Sequence, residues 1–100
     1  MTTLAPDATL SIATPPELNA TTVAAFRDAA RAIIGPEHRL LDIDLKKTAF
    51  IDSSGLGALI ALHKTMAAQG GAVRLFNPRQ QVLQILELTR MHRLMEIIRL

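Results

Sequence analysis

The chain has 100 residues, of which 49% are hydrophobic and 20% are charged, and its formal net charge at pH 7 is +2. A disordered chain carries fewer apolar residues and a higher net charge, so this composition predicts one small globular domain spanning residues 1–100. The sequence contains no cysteine, which excludes disulfides, thiolate nucleophiles and cysteine-based zinc sites.

Charge and hydropathy also exclude two classes of partner. The basic excess is mild and only three residues are aromatic, so no nucleic-acid partner is expected. Residues 1–8 form a lead-in without the basic and apolar regions of a secretory signal. The longest uncharged run of the hydrophobic middle, residues 53–62, is about half as long as a bilayer-spanning helix. We therefore expect a cytoplasmic protein without membrane insertion.

The predicted elements alternate between strands and helices. Small polar residues alternate with apolar ones over Thr9–Ala13, which predicts a strand. Asn19 is a candidate N-cap for the next helix, which ends at Gly35 and Pro36. The apolar face of that helix carries Val23, Phe26, Ala30 and Ile33.

Two short apolar runs occupy the middle of the chain. In the first, three aliphatic residues alternate with Asp42 and Asp44, which predicts a strand with one buried face. The second, residues 49–51, stops at three residues that commonly cap helices, and a helix follows over residues 55–69. Its expected inward stripe is Leu56, Leu59, Ile60, His63 and Met66.

The last third of the chain repeats the alternation. Residues 73–76 predict a strand, and Asn77 followed by Pro78 predicts the start of a helix that extends to residue 88. Residues 95–98 predict a last short strand. Helices between strands indicate an α/β fold with right-handed crossovers and a sheet that contains parallel pairs.

The catalytic motifs in this sequence are incomplete. Gly55–Ile60 begins like a dinucleotide-binding fingerprint but lacks the third glycine. A nucleophile at Ser53 or Ser54 would have His63 as its base, about 14 Å away along the same helix and beyond hydrogen-bond reach. The two aspartates of the middle strand share one face without a partner acid. The sequence therefore predicts no catalytic residue, no cofactor and no metal site.

The most informative feature is the corner where the second apolar run meets its helix. Ser53 and Ser54 lie in the first helical turn, where unpaired backbone N–H groups favour an anion. Gly55 and Gly57 keep side chains away and leave the hydroxyls accessible to another protein's active site. The helix beyond is apolar on more than one side, so part of it is a candidate interface. Spacing alone favours a simple N-cap cluster.

The run Phe50-Ile51-Asp52-Ser53-Ser54-Gly55-Leu56-Gly57 resembles the STAS domain of bacterial anti-sigma factor antagonists. The resemblance covers residues 16–98 and continues through Leu62-His63-Lys64, Gly70-Gly71, Leu75-Phe76-Asn77-Pro78 and Leu86-Glu87-Leu88-Thr89. It implies a small mixed β-sheet covered by crossover helices, here as a compact variant that lacks the closing C-terminal helix. The uncovered Ile97 and Ile98 would then favour self-association.

The resemblance also implies a function: a non-enzymatic regulator of bacterial transcription that works by partner switching. Ser53 is the implied phosphorylation site of a serine kinase that doubles as the anti-sigma factor. The unmodified form binds this kinase and releases its target, phosphorylation abolishes binding, and a metal-dependent serine phosphatase restores it. The implied partner-binding residues are Asp52, Ser54, Gly55, Leu56, Gly57, Leu59 and Asn19.

Three positions depart from the family pattern. Pro16-Glu17-Leu18-Asn19 stands where relatives usually have G-E-L-D, and Arg90 stands where a glycine commonly follows the threonine. Two alternative functions stay open. One is a STAS-only accessory subunit of a membrane lipid or anion transporter, bound without phosphorylation. The other is a small-molecule or nucleotide binder, supported only by the helix N-terminus.

Overall fold

Six strands and three helices make up residues 8–100, the part of the chain that the computed structural model describes. The strands are β1 (Thr9–Ala13), β2 (Glu17–Leu18), β3 (Leu40–Asp44), β4 (Phe50–Ile51), β5 (Ala72–Phe76) and β6 (Glu96–Ile98). The helices are α1 (Val23–Ile33), α2 (Ser53–Ala68) and α3 (Gln80–Leu88), and a 3-10 turn at Met91–Arg93 precedes β6. Of the lead-in predicted over residues 1–8, residues 1–7 lie outside the described part.

The strands form two sheets, and every strand pair within residues 8–100 is parallel. The main sheet has the order β1-β3-β5-β6, and β2 pairs with β4 in a separate ladder. Parallel neighbours require a crossover connection, and α1, α2 and α3 lie in the three connections between successive strands of the main sheet. The α/β class with crossover helices is therefore confirmed. The sheet predicted as mixed is parallel throughout the described part, because each crossover returns the chain in the same direction.

The hydrophobic core lies between the main sheet and the three helices. Leu41, Ile43 and Leu45 are fully buried, which confirms the alternation predicted for this strand. They belong to one cluster with residues of all three helices, among them Phe26, Leu59, Leu62, Met66, Val82 and Leu86. Because burying a large aliphatic side chain contributes about 1.5–3 kcal/mol, this layer of contacts holds the helices on one face of the sheet.

The opposite side of the main sheet, the open face, has no helix packed on it within residues 8–100. The strand register aligns Ser11, Asp42, Arg74 and Glu96 across the four strands. Arg74 donates two hydrogen bonds to the Asp42 carboxylate, at 2.7 Å from Nε and 2.8 Å from Nη2. Its guanidinium also lies 5.5 Å from the ring centroid of Phe76. The hydrogen bonds to Asp42 raise the pKa of Arg74, so the guanidinium stays protonated throughout the neutral range.

Two predicted helix starts are wrong. The side-chain oxygen of Asn19 accepts a hydrogen bond from the Thr21 N–H (3.0 Å) in a turn that precedes α1, and the helix begins only at Val23. The backbone of Asn77 has a φ of 54°, and its side-chain oxygen accepts a hydrogen bond from the Leu100 N–H (2.8 Å). In both cases the asparagine oxygen is bonded outside the helix, so it cannot cap the first turn.

A buried polar contact joins the main sheet to the β2–β4 ladder. The hydroxyls of Thr14 and Thr48, both buried, form a hydrogen bond with each other. Thr48 donates its hydroxyl hydrogen to the carbonyl of Pro15 (2.7 Å), so Thr14 is the donor in the bond between the two hydroxyls. The Thr14 oxygen also lies 3.2 Å from the carbonyl of Asp44. These bonds fix the segment that enters β2 relative to the ends of β1 and β3.

Candidate functional site: the corner between β4 and α2

The candidate site lies where β4 ends and α2 begins. Parallel pairing aligns Leu18 with Ile51, so β2 and β4 end at the same edge of their ladder. The Asp52 N–H extends the ladder by one bond to the carbonyl of Leu18 (3.2 Å). This pairing brings Asn19, the residue after β2, beside the corner, as the predicted partner-binding set requires.

Asp52 connects the two elements that form the corner. One carboxylate oxygen accepts a hydrogen bond from the Gly55 N–H (3.0 Å) and so caps the first turn of α2. The other oxygen accepts a hydrogen bond from the Ala20 N–H (3.2 Å), in the turn before α1. The predicted capping role of this aspartate is thus confirmed. The second bond, to Ala20, is a contact that the sequence did not reveal.

The two serines differ in access. Ser53 is the first residue of α2 and is exposed, whereas Ser54 is half-buried. Within residues 8–100, the Ser53 hydroxyl makes no hydrogen bond with another residue. The backbone N–H groups of both serines precede the first intrahelical bond, which runs from the Leu56 N–H to the carbonyl of Asp52 (3.0 Å). The corner therefore presents the exposed hydroxyl of Ser53 beside free N–H donors.

The two glycines of the corner have different physical roles. A Cβ atom at Gly55 would lie 2.7 Å from Cγ1 of Ile51 and closer still to the carbonyl oxygen of Leu18, so the β2–β4 ladder leaves no room for a side chain. A Cβ atom at Gly57 would meet nothing within 4 Å, and this residue is exposed. The chain's own packing therefore explains Gly55 but gives no reason for a glycine at position 57.

The rotation of α2 differs from the prediction. Leu59 and Met66 are buried as predicted, but the remaining predicted stripe residues are only half-buried. The buried stripe also contains Gly55, Ala58 and Leu62. Of the predicted partner-binding leucines, Leu56 thus offers part of its surface to a partner, whereas Leu59 lies wholly in the core.

Sequence reasoning missed one exposed apolar residue at the corner. Phe50 is 48% exposed, while its neighbour Ile51 is buried, because successive residues of a strand point to opposite sides. The alternation was too short to recognise in a strand of two residues. Phe50 adds an aromatic side chain to the accessible surface next to α2.

The described residues hold neither a metal centre nor a membrane span. Within residues 8–100, no three histidine, aspartate or glutamate side chains are close enough together to hold a metal ion. No helix in the same range combines the length and apolar character needed to cross a bilayer.

A family model for the STAS domain matches residues 3–99, which include the whole corner. The chain belongs to the STAS domain family. Comparison with curated proteins gives no match.

Solved structures share this STAS fold at low sequence identity. The anti-sigma factor antagonist SpoIIAA in its unphosphorylated form is 22% identical, with a TM-score of 0.77 over 98% of this chain and 84% of that chain. The crystal structure of TM1081, a candidate anti-sigma factor antagonist from Thermotoga maritima, is 23% identical, with a TM-score of 0.78 over 95% and 81% of the two chains. Its NMR structure gives a TM-score of 0.80 over 93% and 75%. This likeness confirms the predicted STAS architecture.

Proposed function

We propose that this STAS domain is a phosphorylation-switched regulatory protein that binds a serine kinase acting as an anti-sigma factor. In the proposed cycle the kinase phosphorylates Ser53, the phosphorylated form leaves the kinase, and a metal-dependent serine phosphatase restores the unmodified form. The observation that carries this proposal is the free, exposed hydroxyl of Ser53 on a corner whose neighbouring Asp52 is held by two hydrogen bonds. The role requires no catalysis by the chain itself.

Access favours Ser53 over Ser54 as the modified residue. A kinase must bring the hydroxyl within reach of its own active site, and Ser54 is half-buried against the corner. Gly57 lies one helical turn beyond Ser53 and adds no side chain that would hinder the approach. The corner thus offers a single hydroxyl to an incoming active site.

Phosphorylation would act on binding through charge. It adds about −1.5 to −2 charge at pH 7. A partner that packs against Phe50 and the first turn of α2 would have to desolvate this charge beside the Asp52 carboxylate. Each penalty of about 1.4 kcal/mol weakens binding tenfold, so about 4 kcal/mol turns a micromolar complex into a millimolar one.

The same phosphate would leave the fold intact. At the start of α2 it lies beside the free N–H groups of Ser53 and Ser54 and at the positive end of the helix dipole. Such placement typically stabilises a helix by about 0.3–1 kcal/mol. We therefore expect the phosphorylated protein to lose its partner without unfolding.

The test combines mass spectrometry with binding measurements on the full chain. Incubation with ATP and a cognate serine kinase is expected to add one phosphate, which peptide analysis locates at Ser53. Ser53→Asp is expected to weaken kinase binding at least about tenfold, whereas Ser53→Ala binds like the wild type. Ser54→Ala is the matched control for the site of modification, and it should still receive one phosphate at Ser53.

Two results would contradict the proposal. One is modification confined to Ser54, and the other is equal kinase binding by the two Ser53 variants. A chain that is never phosphorylated in cells and co-purifies in fixed proportion with a membrane permease would support the accessory-subunit interpretation instead.

A further inference from the structure

Arg90 occupies a backbone conformation that disfavours any side chain. It follows α3 with φ 62° and ψ 26°, the left-handed region in which glycine carries no steric penalty. The residue is exposed, and within residues 8–100 its guanidinium forms no ion pair. The chain therefore keeps an arginine where its own fold would be better served by glycine.

Arg90 belongs to an exposed surface that is both basic and apolar. Arg93 is also exposed, and two leucines flank the arginines, Leu88 with 82% and Leu94 with 48% of their surface accessible. We call these four residues the basic surface. Helix α3 runs from the carboxyl end of β5 to the amino end of β6, so the basic surface, which follows α3, lies at the amino edge of the main sheet. Ser53 begins α2, which runs towards the amino end of β5, so Ser53 lies at the opposite, carboxyl edge.

The open face of the main sheet has the complementary character. Three carboxylates, those of Asp42, Asp44 and Glu96, share it with a single arginine, so its net charge is −2 although the whole chain carries +2. Phe76 and Ile98 add apolar surface in the next row of the register. Parallel sheets are almost always covered on both faces, and this face is uncovered within the described residues.

One guanidinium, that of Arg74, is bound on the open face by a carboxylate and an aromatic ring. Arg74 sits between Asp42, which it contacts through two hydrogen bonds, and the ring of Phe76. Asp44 lies across from Phe76 in the register, and among residues 8–100 no arginine contacts its carboxylate, which accepts a hydrogen bond from the Lys46 N–H (2.9 Å).

A hollow beside Asp44 can receive such a guanidinium. Its volume is about 220 Å³, and it is lined by Ser11, Asp42, Asp44, Phe76 and Asn77. Small-molecule pockets typically occupy about 300–1,000 Å³, so this hollow suits a single long side chain better than a separate ligand.

We propose that the basic surface of one copy docks on the open face of a second copy, with Arg90 entering the hollow beside Asp44. Two different surfaces meet in this contact, so it is heterologous, and a pair of copies still has one free basic surface and one free open face. The protein should therefore associate head to tail into short chains of copies. This association is independent of the phosphorylation proposed for Ser53.

Sedimentation velocity on the full chain provides the first test. The average mass is expected to rise with protein concentration at about 50 mM salt and to fall towards the monomer at about 500 mM, because screening weakens exposed ion pairs. Arg90→Gly should weaken association several-fold while raising the melting temperature, which separates lost docking from misfolding. A wild type that stays monomeric at low salt up to about 1 mM protein, a concentration that detects even millimolar affinity, overturns the proposal.

A mixing experiment tests the head-to-tail geometry. The double variant Arg90→Glu with Arg93→Glu loses the basic surface, and Ser11→Trp fills the hollow without changing the charge of the open face. Each variant alone should be monomeric, whereas an equal mixture should form a dimer and nothing larger, because only one productive contact exists between the two. Association of either variant alone, or a mixture that stays monomeric, contradicts the proposal. Ser53→Asp should associate like the wild type.

Discussion

Replacing each glycine of the corner with alanine should change stability in opposite directions. Gly57 is an exposed residue in the second turn of α2 with open space where a Cβ would lie. An exposed helical glycine is about 0.8–1.0 kcal/mol less favourable than alanine, so Gly57→Ala should stabilise the protein by nearly that amount. For a chain of this size, this corresponds to a rise in melting temperature of about 4–8 °C.

Gly55→Ala is the matched comparison, two residues away in the same helix. Its methyl group would overlap Ile51 and the carbonyl oxygen of Leu18, and a backbone atom cannot move aside without disturbing the β2–β4 ladder. Overpacking of this kind costs about 1–3 kcal/mol. Urea and thermal unfolding followed by circular dichroism should therefore separate the two variants by at least about 2 kcal/mol.

Gly57→Ala also tests how closely the proposed kinase approaches the first turns of α2. If the missing side chain at Gly57 allows close approach, then the more stable Gly57→Ala protein should bind the kinase at least about tenfold more weakly. A destabilised Gly57→Ala protein would contradict the inference that a methyl group at position 57 meets open space. Unchanged kinase affinity, alongside the expected loss in Ser53→Asp, would refute the close approach while leaving the switch itself intact.

Two further substitutions test the scaffold around the site. Arg74→Leu should destabilise the protein by about 1.5 kcal/mol, the lower end for hydrogen bonds to charged groups, because both partners are partly exposed. The hydrogen bonds to Asp42 raise the pKa of Arg74, so its contribution to stability is complete below the ordinary arginine pKa and is lost only as pH rises above that value. The loss in Arg74→Leu should therefore be the same in urea titrations at about pH 6 and pH 9. Thr48→Val should cost about 1–3 kcal/mol, because the partly buried carbonyl of Pro15 loses its donor, whereas a change below about 0.5 kcal/mol would show that the carbonyl finds another partner.

The main sheet could be predicted from the sequence because three of its four strands alternate over five residues. Aliphatic residues at every second position of β3 can be buried together only if the strand is extended with one face inward. The two-residue strands β2 and β4 offer no such pattern, and they owe their existence to pairing with each other. Local sequence therefore predicted the core but not the ladder on which the corner rests.

Helix ends and helix rotation were harder to predict for specific reasons. Asn19 and Asn77 both have the side chain of a good N-cap, but each oxygen is bonded elsewhere, a fact that depends on distant residues such as Leu100. In α2 nearly every position is apolar, so several faces were equally suited to the core. The sequence motif around Ser53 predicts an accessible hydroxyl there. The contrast between Gly55 and Gly57 could not be predicted, because it depends on which residues pack against each of them in the folded chain.

The ladder of β2 and β4 separates buried from exposed positions at the corner. Leu18 and Ile51 pair with each other and belong to the core, whereas Phe50 and Ser53 are exposed. Changes at the exposed positions can therefore accumulate in descendants without eroding the folded core. Such an arrangement would let one ancestral scaffold acquire new binding specificities while its buried ladder residues stay the same.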